Sequence, residues 1–333
     1  MYYMVTCLRN FESVEIKQGY TISLDIQNSY MITKEHPDVL KIITNNNYIA
    51  YVGSATFQEI ASNFFAIKVF NSTTLNEDSK YTLLSNFLQY LGAYCQALWF
   101  IKDNAVTPSM GTISSDISGE SNTMIRRNVF ITDAVGTPEK ISFTKKELDE
   151  ALKWYSKIIN ISAKKGNGIR KTPKGYDNLS QMITFDVSSY QRSLYFLDSA
   201  RRADFLLTKI TNYISVLECL LAANGDNTHK VSERAAFLIG HDVTDRKKIF
   251  KQIVVAYDLR SKYVHGSEIK QSKHEQFPEA SKNLDDIVRR VLKELILNHP
   301  ELDYNNSNKK DKTRKNFDEV NEWFNELVLT KGV

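Results

Sequence analysis

Apolar positions change period near residue 144, and that change organises the chain. Before it, Tyr20-Thr21-Ile22-Ser23-Leu24-Asp25-Ile26 alternates apolar and polar as a half-buried strand does, and Phe64 to Phe70 is a second candidate strand. Leu84, Phe87, Leu88, Leu91, Cys95, Leu98 and Trp99 recur at helical spacing and predict a core helix over 83–101. Residues 107–123, rich in Ser, Gly and Thr, read as an exposed loop. Val129-Phe130-Ile131 and Ile141-Ser142-Phe143 flank Gly136 and Pro138 as the arms of a hairpin would.

From Thr144 onward the helical period takes over. Thr144 and Glu147 have the spacing of a capping box, in which each side chain meets the other's backbone N–H, and a helix follows to about Ile161. Further helices are predicted near 188–202, 204–223, 230–240, 244–265 and 278–298, and a last amphipathic one near 314–329 carries Phe317, Val320, Phe324 and Val328. The fold class is therefore α+β: a mixed strand/helix module over 1–143, a helical domain over 144–300, then a polar linker and terminal helix over 301–333.

Composition is that of an ordinary globular protein, with 42% hydrophobic and 25% charged residues and a net charge of +4. So mild a charge does not itself mark a nucleic-acid binder. Basic residues do gather locally, at Lys164, Lys165, Arg170, Lys171 and Lys174, in a connection that could contact RNA or simply be a solvated linker. Gly166-Asn167-Gly168 within it lacks the Gly-Lys-Ser/Thr ending of a phosphate-binding loop. Cys7, Cys95 and Cys219 are few and far apart, and no Cys or His pair has zinc-ligand spacing, so reduced thiols, no metal and no cofactor are expected. The first residues lack the layout of a signal peptide, and polar residues interrupt Leu83–Ile101, the most apolar stretch. The expectation is a cytoplasmic protein without a membrane span.

Candidate chemistry concentrates in Ile249 to His265. Phe250, Ile253, Val254, Tyr257, Ser261 and Val264 form an apolar stripe, with Arg260 expected on one flank and His265 on the other. Gly266 supplies a helix stop. His265 thus falls in the last turn, at the negative end of the helix dipole and near the opposing cations Arg260 and Lys262. Imidazole is the side chain that exchanges protons near neutral pH, and a planar guanidinium suits phosphate oxygens.

An Arg and a His five residues apart are weak on their own, and the surrounding order of motifs adds to them. Leu217-Glu218-Cys219-Leu220-Leu221 ends one helix, Ser232-Glu233-Arg234-Ala235-Ala236-Phe237-Leu238 forms the next, and Arg260-Ser261-Lys262-Tyr263-Val264-His265-Gly266 closes a third. This set, over residues 186–298, resembles the Apea-like branch of the HEPN superfamily, whose signature ends in Arg-Ser-x-x-x-His-Gly. The resemblance implies a helical bundle that pairs about a two-fold axis and, in many members, a metal-independent endoribonuclease of defence or toxin systems. It makes His265 the acid/base and Arg260 the phosphate-binding group, with Ser261, Lys262, Glu218 and Arg234 as supporting candidates. RNA and a second copy of the chain are the implied partners. Ser267 stands where the branch paired with nucleotidyltransferases carries Tyr, so modification by AMP is not expected.

Other readings stay open at the level of residues. His265 is also suited to capping carbonyls, Arg260 to an ion pair with Glu218, and Arg234 to an interhelical salt bridge. At the level of the protein, the rivals are a non-catalytic HEPN module for dimerisation or for binding RNA or protein, and a sensor whose N-terminal module answers an unknown trigger.

Overall fold

A computed structural model describes residues 1–16, 19–24, 29–37, 46–116, 122–125, 130–163, 187–221, 225–268, 271–304 and 315–331. The chain is α+β, strand-rich in its N-terminal part and all-helical in its C-terminal part. It divides into two compact units, 1–133 with 138–159, and 134–137 with 160–333.

The first unit is built on a six-stranded sheet. Its strands are β1 (Tyr2–Arg9), β3 (Tyr20–Ser23), β4 (Ser29–Thr33), β5 (Phe65–Phe70), β6 (Thr107–Ser115) and β7 (Thr123–Ile125), in the order β3-β4-β5-β1-β6-β7 with every neighbouring pair antiparallel. Short helices α1 (Asn46–Val52) and α2 (Ser54–Ser62) cover one face, where Tyr48, Val52 and Ile60 join Val5, Cys7, Phe65, Ile67 and Met110 in a core cluster. The long helix α3 (Glu77–Ile101) covers the other. It begins where Asn76 accepts from the Ser79 amide, and it buries Leu84, Leu88 and Leu91. Helix α4 (Lys145–Ala163) begins with the expected box: Thr144 N–H donates to Glu147, and the Glu147 amide donates back to Thr144 Oγ1.

Two expectations for this unit fail. Residues 107–115 are not an exposed loop but the buried strand β6, and their small side chains are what the position requires. A Cβ at Gly111 would stand 3.0 Å from the methyl groups of Leu84 and Leu88, so any larger residue there would have to push these α3 side chains back from the sheet. No hairpin joins 129–131 to 141–143 either. Ile141–Ser142 (β8) pairs in parallel with Phe11–Glu12 (β2), Phe130 and Ile131 form no strand, and Val129 lies outside the described residues. Ser13 Oγ donates to Phe143 O, and Phe11 stacks on Phe143, which accounts for the local pairing.

The second unit is helical: α5 (Ser189–Arg202), α6 (Leu206–Leu221), α7 (Asn227–Ile239), α8 (Val243–Val264), α9 (Phe277–Asn298) and α10 (Phe317–Lys331), with 3-10 turns at Gln271–Gln276 and Pro300–Leu302. Ser188 and Gln191 form a capping box before α5. Helix α6 is the hub, packed against α5, α7, α8 and α9. Its Ile210, Ile214 and Leu217, with Val231, Ile253, Leu284, Val288 and Leu292 of its neighbours, are almost wholly buried. Charged groups inside are paired: Lys209 Nζ donates to Ala200 O at 2.7 Å, and Asp285 accepts from Tyr213 Oη at 2.8 Å and from Arg289. Among the described residues no helix is long and apolar enough to cross a membrane.

Candidate functional site

Helix α8 ends abruptly, and its ending places His265. Gly266 adopts a φ of 68°, which glycine reaches without steric cost. The Ser267 amide then donates to Lys262 O at 2.9 Å and the Gly266 amide to Tyr263 O at 3.4 Å, the two bonds of a Schellman turn. His265, whose own amide donates to Ser261 O, is the last residue before the turn and is exposed. Its imidazole makes no hydrogen bond among the described residues. The carbonyls that it was a candidate to cap are satisfied by main-chain amides instead.

Arg260 sits differently from expectation. The buried positions of α8 are Ile249, Ile253, Ala256, Tyr257 and Leu259, while Ser261 and Val264 are exposed. At about 100° per residue this stripe is turned roughly a quarter of a circle from the one read in the sequence, which takes Arg260 off the flank and into the buried face. Ser261 and Val264, which had tilted the predicted stripe, touch solvent instead of core.

In that position Arg260 meets the end of α6. Its Nη2 lies 3.5 Å from Glu218 Oε2, and Tyr257 Oη donates to Glu218 Oε1 at 3.2 Å. Burial pushes the Tyr257 phenol far above its ordinary range, with the Glu218 carboxylate adding to the rise, so Tyr257 remains a donor. The Arg260 Nε is covered and has no partner among the described residues. With a single long bond to Glu218, the guanidinium keeps donors in hand. Arg260 and His265 are about 140° apart around α8 and about 7.5 Å apart along it, so one chain aims them to different sides.

The supporting candidates divide. Glu218 belongs to the site. Lys262 pairs with Asp258 at 2.6 Å, and Ser261 is exposed one residue beyond Arg260. Arg234 is elsewhere: it donates to Leu221 O at 3.0 Å, to Asn321 at 2.9 Å and to Asn325 at 3.3 Å, and its guanidinium lies over Phe324. Burial lowers its pKa, and a carbonyl and two side-chain amides that accept from it tie α7 to α6 and α10. Lys164, Lys165, Arg170, Lys171 and Lys174 lie outside the described residues. No group of three or more His, Cys, Asp or Glu side chains that could hold a metal ion occurs among the described residues.

Sequence reading passed over the rings beside the site. Phe205 and Tyr263 pack at 5.7 Å, Tyr263 Oη lies 3.0 Å from Thr208 Oγ1, and both rings are largely open to solvent, as is Val264. The signal was present in Tyr263-Val264, apolar residues next to a helix stop. Comparison with protein-family models, with curated proteins and with solved structures found no match to this chain.

Proposed function

We propose that the helical unit is a HEPN-type, metal-independent endoribonuclease whose acid/base is His265 and whose phosphate-binding group is Arg260. The observation that carries this reading is the end of α8: an exposed imidazole, unengaged among the described residues and held in place by main-chain bonds, five residues beyond an arginine with donors to spare. A neutral imidazole takes the proton of an RNA 2′-hydroxyl as its oxygen attacks the adjacent phosphorus. The O2′–P bond forms, the P–O5′ bond breaks, and an imidazolium returns a proton to the leaving oxygen. The guanidinium stabilises the charge that builds on the phosphoryl oxygens. The products carry a 2′,3′-cyclic phosphate and a 5′-hydroxyl.

Because Arg260 and His265 of one chain point apart, the reading calls for a second copy whose groups complete the cleft. The exposed apolar residues Phe205, Tyr263 and Val264 at the same end of the unit give such a homodimer a surface to bury. A defence or toxin role is the setting that fits an enzyme of this kind.

The test is incubation of purified protein with mixed RNA in EDTA, beside His265→Ala and Arg260→Lys. Cleavage persists in the chelator, spares DNA, and falls by about a hundredfold or more in the histidine variant. Arg260→Lys keeps the charge, loses the fork and is also strongly impaired. Equal rates in all three proteins would refute the assignment. The hold of Glu218 on Arg260 favours a second reading, a non-catalytic module for dimerisation or binding in which that pair is structural, and no cleavage by any form selects it. Control by the N-terminal unit predicts a rate that changes when that unit's core is disrupted in the full-length chain, as by Gly111→Val beneath Leu84 and Leu88.

A further inference from the structure

The side of α8 turned away from Arg260 borders a groove of about 780 Å³ that the reaction above does not use. Lys247, Lys248 and Lys251 line it from α8, and Gln276, Glu279 and Asn283 line it from the turn before α9 and from α9 itself. The three lysines are exposed, and none has an ion pair or hydrogen bond among the described residues. Three cations therefore face one carboxylate, Glu279. The other acids of α8 are engaged: Asp245 with Arg290 at 3.1 Å and Asp258 with Lys262 at 2.6 Å. Unlike Arg234 or Lys209, these lysines tie nothing together, and long side chains held in a concave surface without an internal partner suit an external anion.

We infer that this groove binds the phosphodiester chain of single-stranded RNA and leads it toward His265. The inference rests on the ribonuclease reading for the nature of the substrate and adds where its chain lies. Lys247 and Lys251 stand one helical turn apart, about 6 Å, a spacing on the scale of successive phosphates in an extended strand. Lys251 and His265 lie within about 40° of each other around the axis and about 21 Å apart along it, so a strand that follows α8 out of the groove meets the imidazole. The carboxylate between them, Asp258, is neutralised by Lys262. Exposed Val255 and the amide of Gln252, both in the groove wall, offer contacts to bases without a fixed sequence preference.

The test measures binding of a fluorescently labelled twelve-nucleotide RNA by anisotropy over a series of salt concentrations, in full-length His265→Ala so that nothing is cut. Adding Lys247→Gln, Lys248→Gln and Lys251→Gln weakens binding at least tenfold, and the slope of log K against log salt becomes shallower by about 2, as expected for three lost phosphate contacts on a single strand. Replacing the same residues by Arg restores both. Unchanged affinity and slope overturn the groove, as does an RNA that does not bind at all, or a labelled mononucleotide that binds as tightly as the twelve-mer. Cleavage by protein with His265 intact is scored separately. Lysine-dependent binding without cleavage upholds the groove and removes the ribonuclease reading. Cleavage with lysine-independent binding does the reverse.

Discussion

Replacing Arg234 by Met removes a tie among three helices, and its cost can be worked from the contacts. The bond to the buried Leu221 carbonyl comes from a charged donor and is worth about 2 kcal/mol, and the bonds to Asn321 and Asn325, nearer to solvent, about 1 kcal/mol each. The guanidinium over Phe324 adds about 1 kcal/mol. Against this stands the cost of keeping a cation buried, about 2 kcal/mol. The net loss is about 3 kcal/mol, which for a unit of this size lowers the melting temperature by about 6–12 °C. Thermal unfolding followed by circular dichroism reads the shift, and limited proteolysis reads earlier release of α10. On the ribonuclease reading proposed above, RNA cleavage per folded molecule stays at the parent rate. A melting temperature within 2 °C of the parent would refute the energetic reasoning, and loss of cleavage in a fully folded variant would make Arg234 part of the chemistry.

Gly240→Ala puts a Cβ 2.4 Å from Ala236 O and 2.6 Å from Arg246 Cγ, where backbone cannot give way, and should cost about 2–3 kcal/mol in a urea titration; a neutral result would mean that the turn between α7 and α8 is not tight. Burial, with Glu59 adding to it, pushes the Cys7 thiol up to about 12, so iodoacetamide at pH 8 leaves native Cys7 unlabelled for hours and labels it in urea; labelling of the native protein at the rate of a free thiol would contradict this. In Glu147 and in Asp245, burial raises the carboxyl, but the bonds from Lys102 and the Thr144 amide, and from the His241 amide and Arg290, outweigh it and leave each below the usual range. A carboxylate depressed on folding contributes its full stability above the unfolded pKa and loses it as pH falls through the folded one, so stability declines below about pH 4 and Glu147→Gln flattens that decline.

What the sequence made legible follows from how each element meets solvent. The helices of the second unit carry apolar residues at helical spacing over several turns, and their bounds fall within a few residues of expectation. The capping box at Thr144 is local chemistry that needs no tertiary context. Strand β1 went unread because all of its residues from Tyr2 to Leu8 are buried, which erases the alternation by which a strand is recognised. Strand β6 went unread because its Ser, Thr and Gly residues answer to α3 lying across them, a fact about a distant segment. In α8 the motif was visible and its orientation was not: apolar Val264 and Val255 are exposed, so the stripe could be set only by the neighbours. Gly266 was the most legible residue of the site, since a glycine after a long helical run has few other uses.

The Schellman turn at Gly266 also separates two kinds of constraint at the end of α8. Main-chain amides hold the last carbonyls, so the architecture asks for glycine at 266 and asks almost nothing of the side chain before it. Position 265 is therefore a socket: its occupant can be exchanged without disturbing the helix that presents it. On the ribonuclease reading, a single codon at 265 switches the chemistry off or on while every packing surface is kept, whereas change at 266 disturbs the scaffold first. Silenced and active versions of the same unit could then coexist as structurally interchangeable copies.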